Sequence, residues 1–276
     1  MSIIEAIIFG IVQGLTEFLP ISSTAHIVIT QLILGTTFPG LTFEIYLHIA
    51  SIFAVMIYFR KDLIQVIVGF FSYFTSRTKE NRVQFLFGLY IIVATIITGG
   101  LGLVLSDFIG VTMKTPPFIA GALIVTGFGL IFIERVHRYG SRTEKDMTFL
   151  DSIIVGLGQT LAVLPGISRS GSTLIVALLV GLNRETAVRY SFLLAIPVIL
   201  GSTVLAVGDV STEVFAAIGT PALVISFITT FIFSWLGIIW LIDFLKRSKL
   251  IYFALYCFVV AILVFLFLEP TTVIDI

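Results

Sequence analysis

Pro165-Gly166-Ile167-Ser168-Arg169-Ser170-Gly171-Ser172-Thr173 interrupts an apolar run extending from Phe149 to Leu182. The stretch holds a turn, a cluster of hydroxyls and one arginine, and a cation set between apolar segments is too costly in a bilayer to be filler. A second run, Ile3–Leu34, is interrupted in the same manner at Leu19-Pro20-Ile21-Ser22-Ser23. After that break Thr24–Leu34 has 11 residues. As helix it covers about 16 Å, against roughly 30 Å of hydrocarbon, and cannot cross. Ser168–Leu182 is similarly short, so both runs read as hairpins that enter and leave by one face.

Around these breaks the chain is overwhelmingly apolar. It has 276 residues, 58% of them hydrophobic and 12% charged, and its mean hydropathy is +1.14, values that place it among polytopic membrane proteins. Clear spans of about 20 residues run Phe43–Phe59, Val83–Leu105, Pro117–Glu134, Thr186–Val207, Ala216–Leu241 and Leu250–Leu268, six in all. The expected fold is therefore an all-α polytopic membrane protein with six transmembrane helices and two re-entrant helical hairpins. Net charge is zero and the basic residues are scattered, which excludes a nucleic-acid partner. Cys257 is the sole cysteine, so no internal disulfide forms. The apolar N-terminus carries Glu5 and Glu17 and has neither a basic leader nor a small-residue cleavage site, so it reads as mature structure.

Charge sets the expected orientation. Arg60, Lys61, Arg77, Lys79 and Arg82, then Arg135, Arg138, Arg142 and Lys145, then Lys246, Arg247 and Lys249 all fall on one side if both hairpins are re-entrant. The other side holds Lys114, Asp209, Glu213 and an acidic C-terminus. The positive-inside rule then places the C-terminus outside, and the expected location is the plasma membrane. The first hairpin enters from outside and the second from the cytoplasm.

The hairpins are also related to each other. Ile7, Ile8, Gly10, Gln13 and Leu15 recur 146 residues later as Ile153, Ile154, Gly156, Gln159 and Leu161, each set followed by Leu-Pro and serines. The likeness of Glu44–Ala50 to Arg189–Ala195 continues the pattern. One integral-membrane domain of two repeats, roughly 1–140 and 146–268, is expected. Three spans per repeat invert the second copy, a plan in which broken helices meet near the midplane.

Embedded polar residues define the candidate site. Gln13 and Glu17 are four apart and share a helix face; Ser23 and His26 are three apart on the helix that restarts after the break. Helices starting near Ser22 and near Ser168 or Ser170 aim free N–H groups at the breaks. With Arg169 they form an anion site in which the many donors suit phosphate better than carboxylate. Each serine also has a plain use as a helix cap, Glu17 as a buried brace, and Arg169 as a structural partner of Glu17 or Glu44. Glu44, His48, Arg189 and Ser191 read as neighbours of the site, and His137 as solvated surface.

At these residues the chain resembles the undecaprenyl-diphosphate phosphatases of the bacitracin-resistance type, from Ile3 to Leu268. Two motifs carry the likeness. One is Glu/Gln-x-x-x-Glu, here Gln13 to Glu17, with Leu19-Pro20-Ile21-Ser22-Ser23-Thr24-Ala25-His26 following; the other is Pro-Gly-x-Ser-Arg-Ser-Gly-x-Thr, here Pro165 to Thr173. The resemblance implies hydrolysis of a polyprenyl diphosphate to the monophosphate, recycling a lipid carrier for surface-glycan synthesis. It implies Glu17, His26, Ser23 and Arg169 as catalytic residues, with Ser22, Ser168, Arg169, Ser170 and Thr173 holding phosphate. It further implies a divalent cation, Mg²⁺ or Ca²⁺, at Glu17 and Gln13, although the glutamine removes one negative charge from such a site. The expected partners are the polyprenyl diphosphate, the bilayer and a second copy in a homodimer, with the site opening to the outer face. Whether Ser23, His26 or water attacks phosphorus stays open. A polyprenyl-phosphate flippase is the rival reading, since inverted repeats and a midplane anion site suit a carrier too. An intramembrane serine protease lacks a nucleophile motif.

Overall fold

The computed structural model describes residues 1–36, 38, 42–106, 113, 115–135, 140–205, 212–247 and 249–268. Lys114, His137, Arg138, Asp209 and the C-terminal stretch 269–276, used above to judge orientation and surface, lie outside them. The described residues are almost wholly helical: α1 (Ile3–Phe18), α2 (Ser23–Leu34), α3 (Thr42–Tyr58), α4 (Arg60–Ser72), α5 (Lys79–Ser106), α6 (Pro116–Arg135), α7 (Phe149–Thr160), α8 (Arg169–Leu179), α9 (Arg184–Leu205), α10 (Thr212–Ile218), α11 (Thr220–Arg247) and α12 (Ile251–Phe267). By length and composition α5, α6, α9 and α11 can each cross a membrane, and the pair α3–α4, bent by 77°, can count as a fifth span. Helix α12 is apolar but has 17 residues. This is a multi-pass membrane protein.

Both interrupted runs break where the sequence indicates. Helix α1 opens on a capping box, in which the Glu5 N–H donates to Ser2 Oγ at 3.2 Å and the Ser2 N–H donates to Glu5 Oε2 at 2.7 Å. It ends at Leu19, which precedes Pro20 and adopts the extended conformation that a following proline favours. Helix α7 opens on a second capping box between Thr148 and Asp151. A 3-10 turn, Leu161–Val163, then leads to an extended Leu164, followed by Pro165. Helices α2 and α8 have 12 and 11 residues, about 18 and 16 Å of helix.

The open ends of each hairpin are tied together. Thr36, just past α2, donates to Glu5 Oε1 at 3.2 Å. Arg142 binds both oxygens of Asp151 on α7, at 3.1 and 2.5 Å, and also the Val180 carbonyl at the end of α8, at 2.6 Å.

Each hairpin packs its first helix on a long helix from the other half of the chain: α1 lies on α11, and α7 on α5. A glycine at each crossing permits this. A Cβ on Gly14 would stand 2.7 Å from Phe233 Cβ, Ser234 N and Thr230 O of α11, and one on Gly156 would stand 3.1 Å from Ala94 Cα and O of α5. Helices α3 and α9 meet between these pairs, and α6 packs on α12. The main core includes the ring cluster Phe18, Phe59 and Phe192, with centroids 5.3 Å (Phe18–Phe192) and 5.1 Å (Phe59–Phe192) apart.

Two boundaries differ from the sequence reading. Residues 60–72, expected as part of a basic loop, form α4, which holds Phe70 and Tyr73 against Phe85 of α5 at 4.9 and 4.6 Å. The span expected from Ala216 divides at Gly219 into α10 and α11, and α11 continues to Arg247.

Gly14→Ala is expected to lower stability by about 1–3 kcal/mol through overpacking against backbone that cannot move aside. Gly121→Ala, whose Cβ would meet nothing within 4 Å, is the control. Thermal unfolding midpoints in one detergent compare them; equal midpoints would refute the tight crossing.

Candidate active site

The two chain breaks meet. Ser170 Oγ, in the first turn of α8, donates to the Leu19 carbonyl at the end of α1 at 2.9 Å. Ser22 and Ser168 cap α2 and α8 as their positions suggest, accepting from the amides of Ala25 and Gly171 at 3.4 and 3.0 Å. The amides that open each helix, those of Ser23 and Thr24 and of Arg169 and Ser170, have no intrahelical acceptor and lie at the junction.

Glu17 stands at its centre, with 4% of its surface exposed. Arg169 Nη2 donates to Glu17 Oε1 at 2.7 Å. Gln13 Nε2 and Ser23 Oγ donate to Glu17 Oε2 at 2.9 and 2.8 Å, and His48 Nε2 lies 3.2 Å from the same oxygen. A carboxylate has about four acceptor positions, two on each oxygen; three donors crowd Oε2, and Arg169 alone takes Oε1. Gln13 reaches Glu17 because the two are one helical turn apart.

The imidazole on Glu17 is thus that of His48, a residue the sequence reading placed only among the neighbours. Its Nδ1 lies 2.8 Å from the Glu44 carbonyl. Its two ring nitrogens are thus held between the Glu44 carbonyl and the Glu17 carboxylate. An ionisable residue inside a span was the available signal; its partner was not, because α2 separates α3 from α1 along the chain.

His26 is placed otherwise. Its Nδ1 is 2.7 Å from the Ser22 carbonyl and its Nε2 is 2.8 Å from Tyr256 Oη on α12. Ser22 has φ 69° and ψ 100°; among the described residues it is the single non-glycine with positive φ. Strain of this kind costs on the order of 1–3 kcal/mol and marks functional segments. Here it turns the Ser22 carbonyl toward the His26 ring.

The other expected phosphate ligands are engaged internally. Ser168 Oγ lies 3.2 Å from Ser170 Oγ. Thr173 is fully buried and donates to the carbonyls of Arg169 and Ser170 at 3.1 and 3.2 Å. Beside Arg169, Ser170 and Ser191 lies a cavity of about 20 Å³, room for about one water. The cavity as it stands has no room for a diphosphate headgroup.

Comparison with known proteins settles the family. The profile described as "Bacitracin resistance protein BacA" matches residues 6–263. The chain belongs to the BacA family. Among its relatives, "Undecaprenyl-diphosphatase 2" of Halalkalibacterium halodurans is 71% identical over 276 residues, 100% of this chain and 99% of the relative. "Undecaprenyl-diphosphatase 1" of Shouchella clausii is 59% identical over 268 residues, 97% of each. "Undecaprenyl-diphosphatase 3" of Bacillus anthracis is 37% identical over 266 residues, 96% and 98% of the two chains.

Among the described residues no group of three or more His, Cys, Asp or Glu gathers to hold a metal. Gln13 Oε1 and Glu44 Oε2 are buried without a hydrogen-bond partner. Such hard oxygens suit Mg²⁺ or Ca²⁺, but Glu17 Oε2 already takes three donors and the Arg169 guanidinium stands on Oε1. The residues fit a cation that arrives with phosphate oxygens better than a resident one.

His48→Ala is expected to lower stability by about 1.5–3 kcal/mol, since it strips a hydrogen-bond partner from a buried carboxylate. His48→Gln, which keeps an N–H donor, should recover most of the loss. Unfolding midpoints compare the two, and equal losses would show that the contact with Glu17 contributes nothing.

Proposed function

We propose that this BacA-family protein hydrolyses undecaprenyl, or a closely similar polyprenyl, diphosphate to the monophosphate and inorganic phosphate. The observation that carries the reading is the cluster at Glu17: a guanidinium and a hydroxyl, each from the first turn of a hairpin's second helix, converge on one buried anion. The 71% and 59% identical relatives are named undecaprenyl-diphosphatases, which favours a hydrolase over a carrier.

In this mechanism the diphosphate competes with Glu17 for Arg169. The guanidinium and the first amides of α2 and α8 neutralise the transferring phosphoryl group. Ser23 Oγ, already donating to Glu17, passes its proton to that carboxylate as it bonds to the terminal phosphorus. The anhydride P–O bond breaks and polyprenyl monophosphate leaves. His26, with hydrogen fixed on Nδ1, takes a proton at Nε2 from the water that frees phosphate from the serine. A divalent cation bound with the substrate near Gln13 Oε1 and Glu17 would supply further charge neutralisation.

The same reading includes six spans and two re-entrant hairpins in the plasma membrane, arranged as inverted repeats roughly 1–140 and 146–268. Ties from Thr36 to Glu5 and from Arg142 to Asp151 and Val180 support hairpins that return to one face. The exchange of packing partners, α1 on α11 and α7 on α5, supports the repeat. Basic loops put the site toward the outer face.

Phosphate release from a C55 polyprenyl diphosphate by the purified protein in detergent tests this, with Mg²⁺, with Ca²⁺ and with EDTA. Activity should fall to background in Arg169→Ala and Glu17→Ala. Ser23→Ala with full activity would overturn the serine route, and no release from folded wild-type protein would overturn the phosphatase reading.

A further inference from the structure

Tyr256 lies 230 residues from His26 in sequence and belongs to neither motif. It nevertheless holds the nitrogen on which His26 depends. Because a carbonyl oxygen only accepts, the 2.7 Å contact to Ser22 fixes hydrogen on His26 Nδ1 and leaves the lone pair on Nε2. The phenol then donates to that lone pair at 2.8 Å. The two rings are also stacked, with centroids 5.5 Å apart and planes 9° from parallel, so ring rotation is blocked from a second direction. On α12, Tyr256 is 43% exposed, whereas the next residue, Cys257, is fully buried and its thiol lies 3.9 Å from the Pro20 carbonyl. Helix α12 is thus anchored at the first chain break immediately beside the tyrosine. The phenol can swing outward without disturbing that anchor.

We propose that Tyr256 is a positioning residue for His26: it stabilises the Nδ1–H tautomer, aims Nε2, and yields that nitrogen when substrate and water arrive. This rests on the role given to His26 under the proposed function. The consequence is a last transmembrane helix that takes part in the chemistry through one hydroxyl, although every motif residue lies on the two hairpins. A hydrogen bond lost at this point misorients the base without removing a substrate contact, so the loss belongs in kcat and not in KM.

Three variants of the full-length protein in detergent test it: Tyr256→Phe, which keeps the ring and removes the hydroxyl, Tyr256→Leu, which removes both, and His26→Ala. Steady-state phosphate release gives kcat and KM. Imidazole ¹⁵N spectra report the tautomer directly, since the chain has only three histidines and the resonance missing in His26→Ala identifies the one of interest. Tyr256→Phe is expected to reduce kcat about tenfold, the worth of one hydrogen bond to a reacting group, with KM within about twofold, and to shift the His26 Nε2 resonance. Tyr256→Leu should reduce kcat further. An unchanged kcat in Tyr256→Phe, or a change confined to KM, would overturn the proposal. Substantial activity in His26→Ala would instead overturn the role of His26, and a shifted Nε2 resonance in Tyr256→Phe would then show a contact without catalytic use.

Discussion

Glu17 is a carboxylate almost wholly removed from solvent, 4% exposed, and an isolated charge there is untenable unless it is paired and fully hydrogen-bonded. That requirement organises the molecule. Its four donors come from four helices: Gln13 from α1, Ser23 from α2, His48 from α3 and Arg169 from α8. Two of those helices, α2 and α8, are too short to cross a bilayer, and the backbone groups at their buried starts also need partners. Capping by Ser22 and Ser168 and the bond from Ser170 to the Leu19 carbonyl satisfy several of them.

The same arrangement explains how a closed site can serve a charged lipid headgroup. Glu17 occupies the guanidinium, and the neighbouring cavity of about 20 Å³ has no room for a diphosphate. Under the proposed function, substrate phosphate offers Arg169 more acceptor oxygens than one carboxylate does. On the same reading, displacement of Glu17 from Arg169 frees Oε1 while Ser23 stays on Oε2. The ion pair that closes the two hairpins is, on this view, also the group that phosphate opens.

Much of this was legible in the sequence because the costs are local. A proline after leucine, a capping serine and an arginine between apolar runs each predict a broken helix, and α1, α2, α7 and α8 begin and end within a few residues of those signals. Glu17, Ser23 and Arg169, singled out as ionisable or hydroxyl residues at membrane depth, do meet. Tertiary placement was not legible. Helical spacing puts His26 on the same helix as Ser23 but cannot tell which way its ring turns, and the positive φ of Ser22 decides that. His48 and Tyr256 reach the site across helix interfaces that no local pattern encodes. Helix α4 was obscured because its basic first turn resembles a loop, and its apolar residues become informative only once α5 lies beneath them.

The most direct measurement is a double-mutant cycle between Glu17→Gln and Arg169→Gln on the unfolding midpoint, run without ligand and then with a saturating non-hydrolysable methylene-bridged prenyl diphosphonate. Without ligand the two substitutions should be coupled by more than about 1 kcal/mol, beyond the roughly 0.3–0.5 kcal/mol scatter of independent sites. With the diphosphonate bound the coupling should collapse, because the guanidinium has exchanged Glu17 for phosphate oxygens. Additive substitutions without ligand, or coupling that the diphosphonate leaves intact, would contradict a single charge pair that both closes the hairpins and receives the substrate.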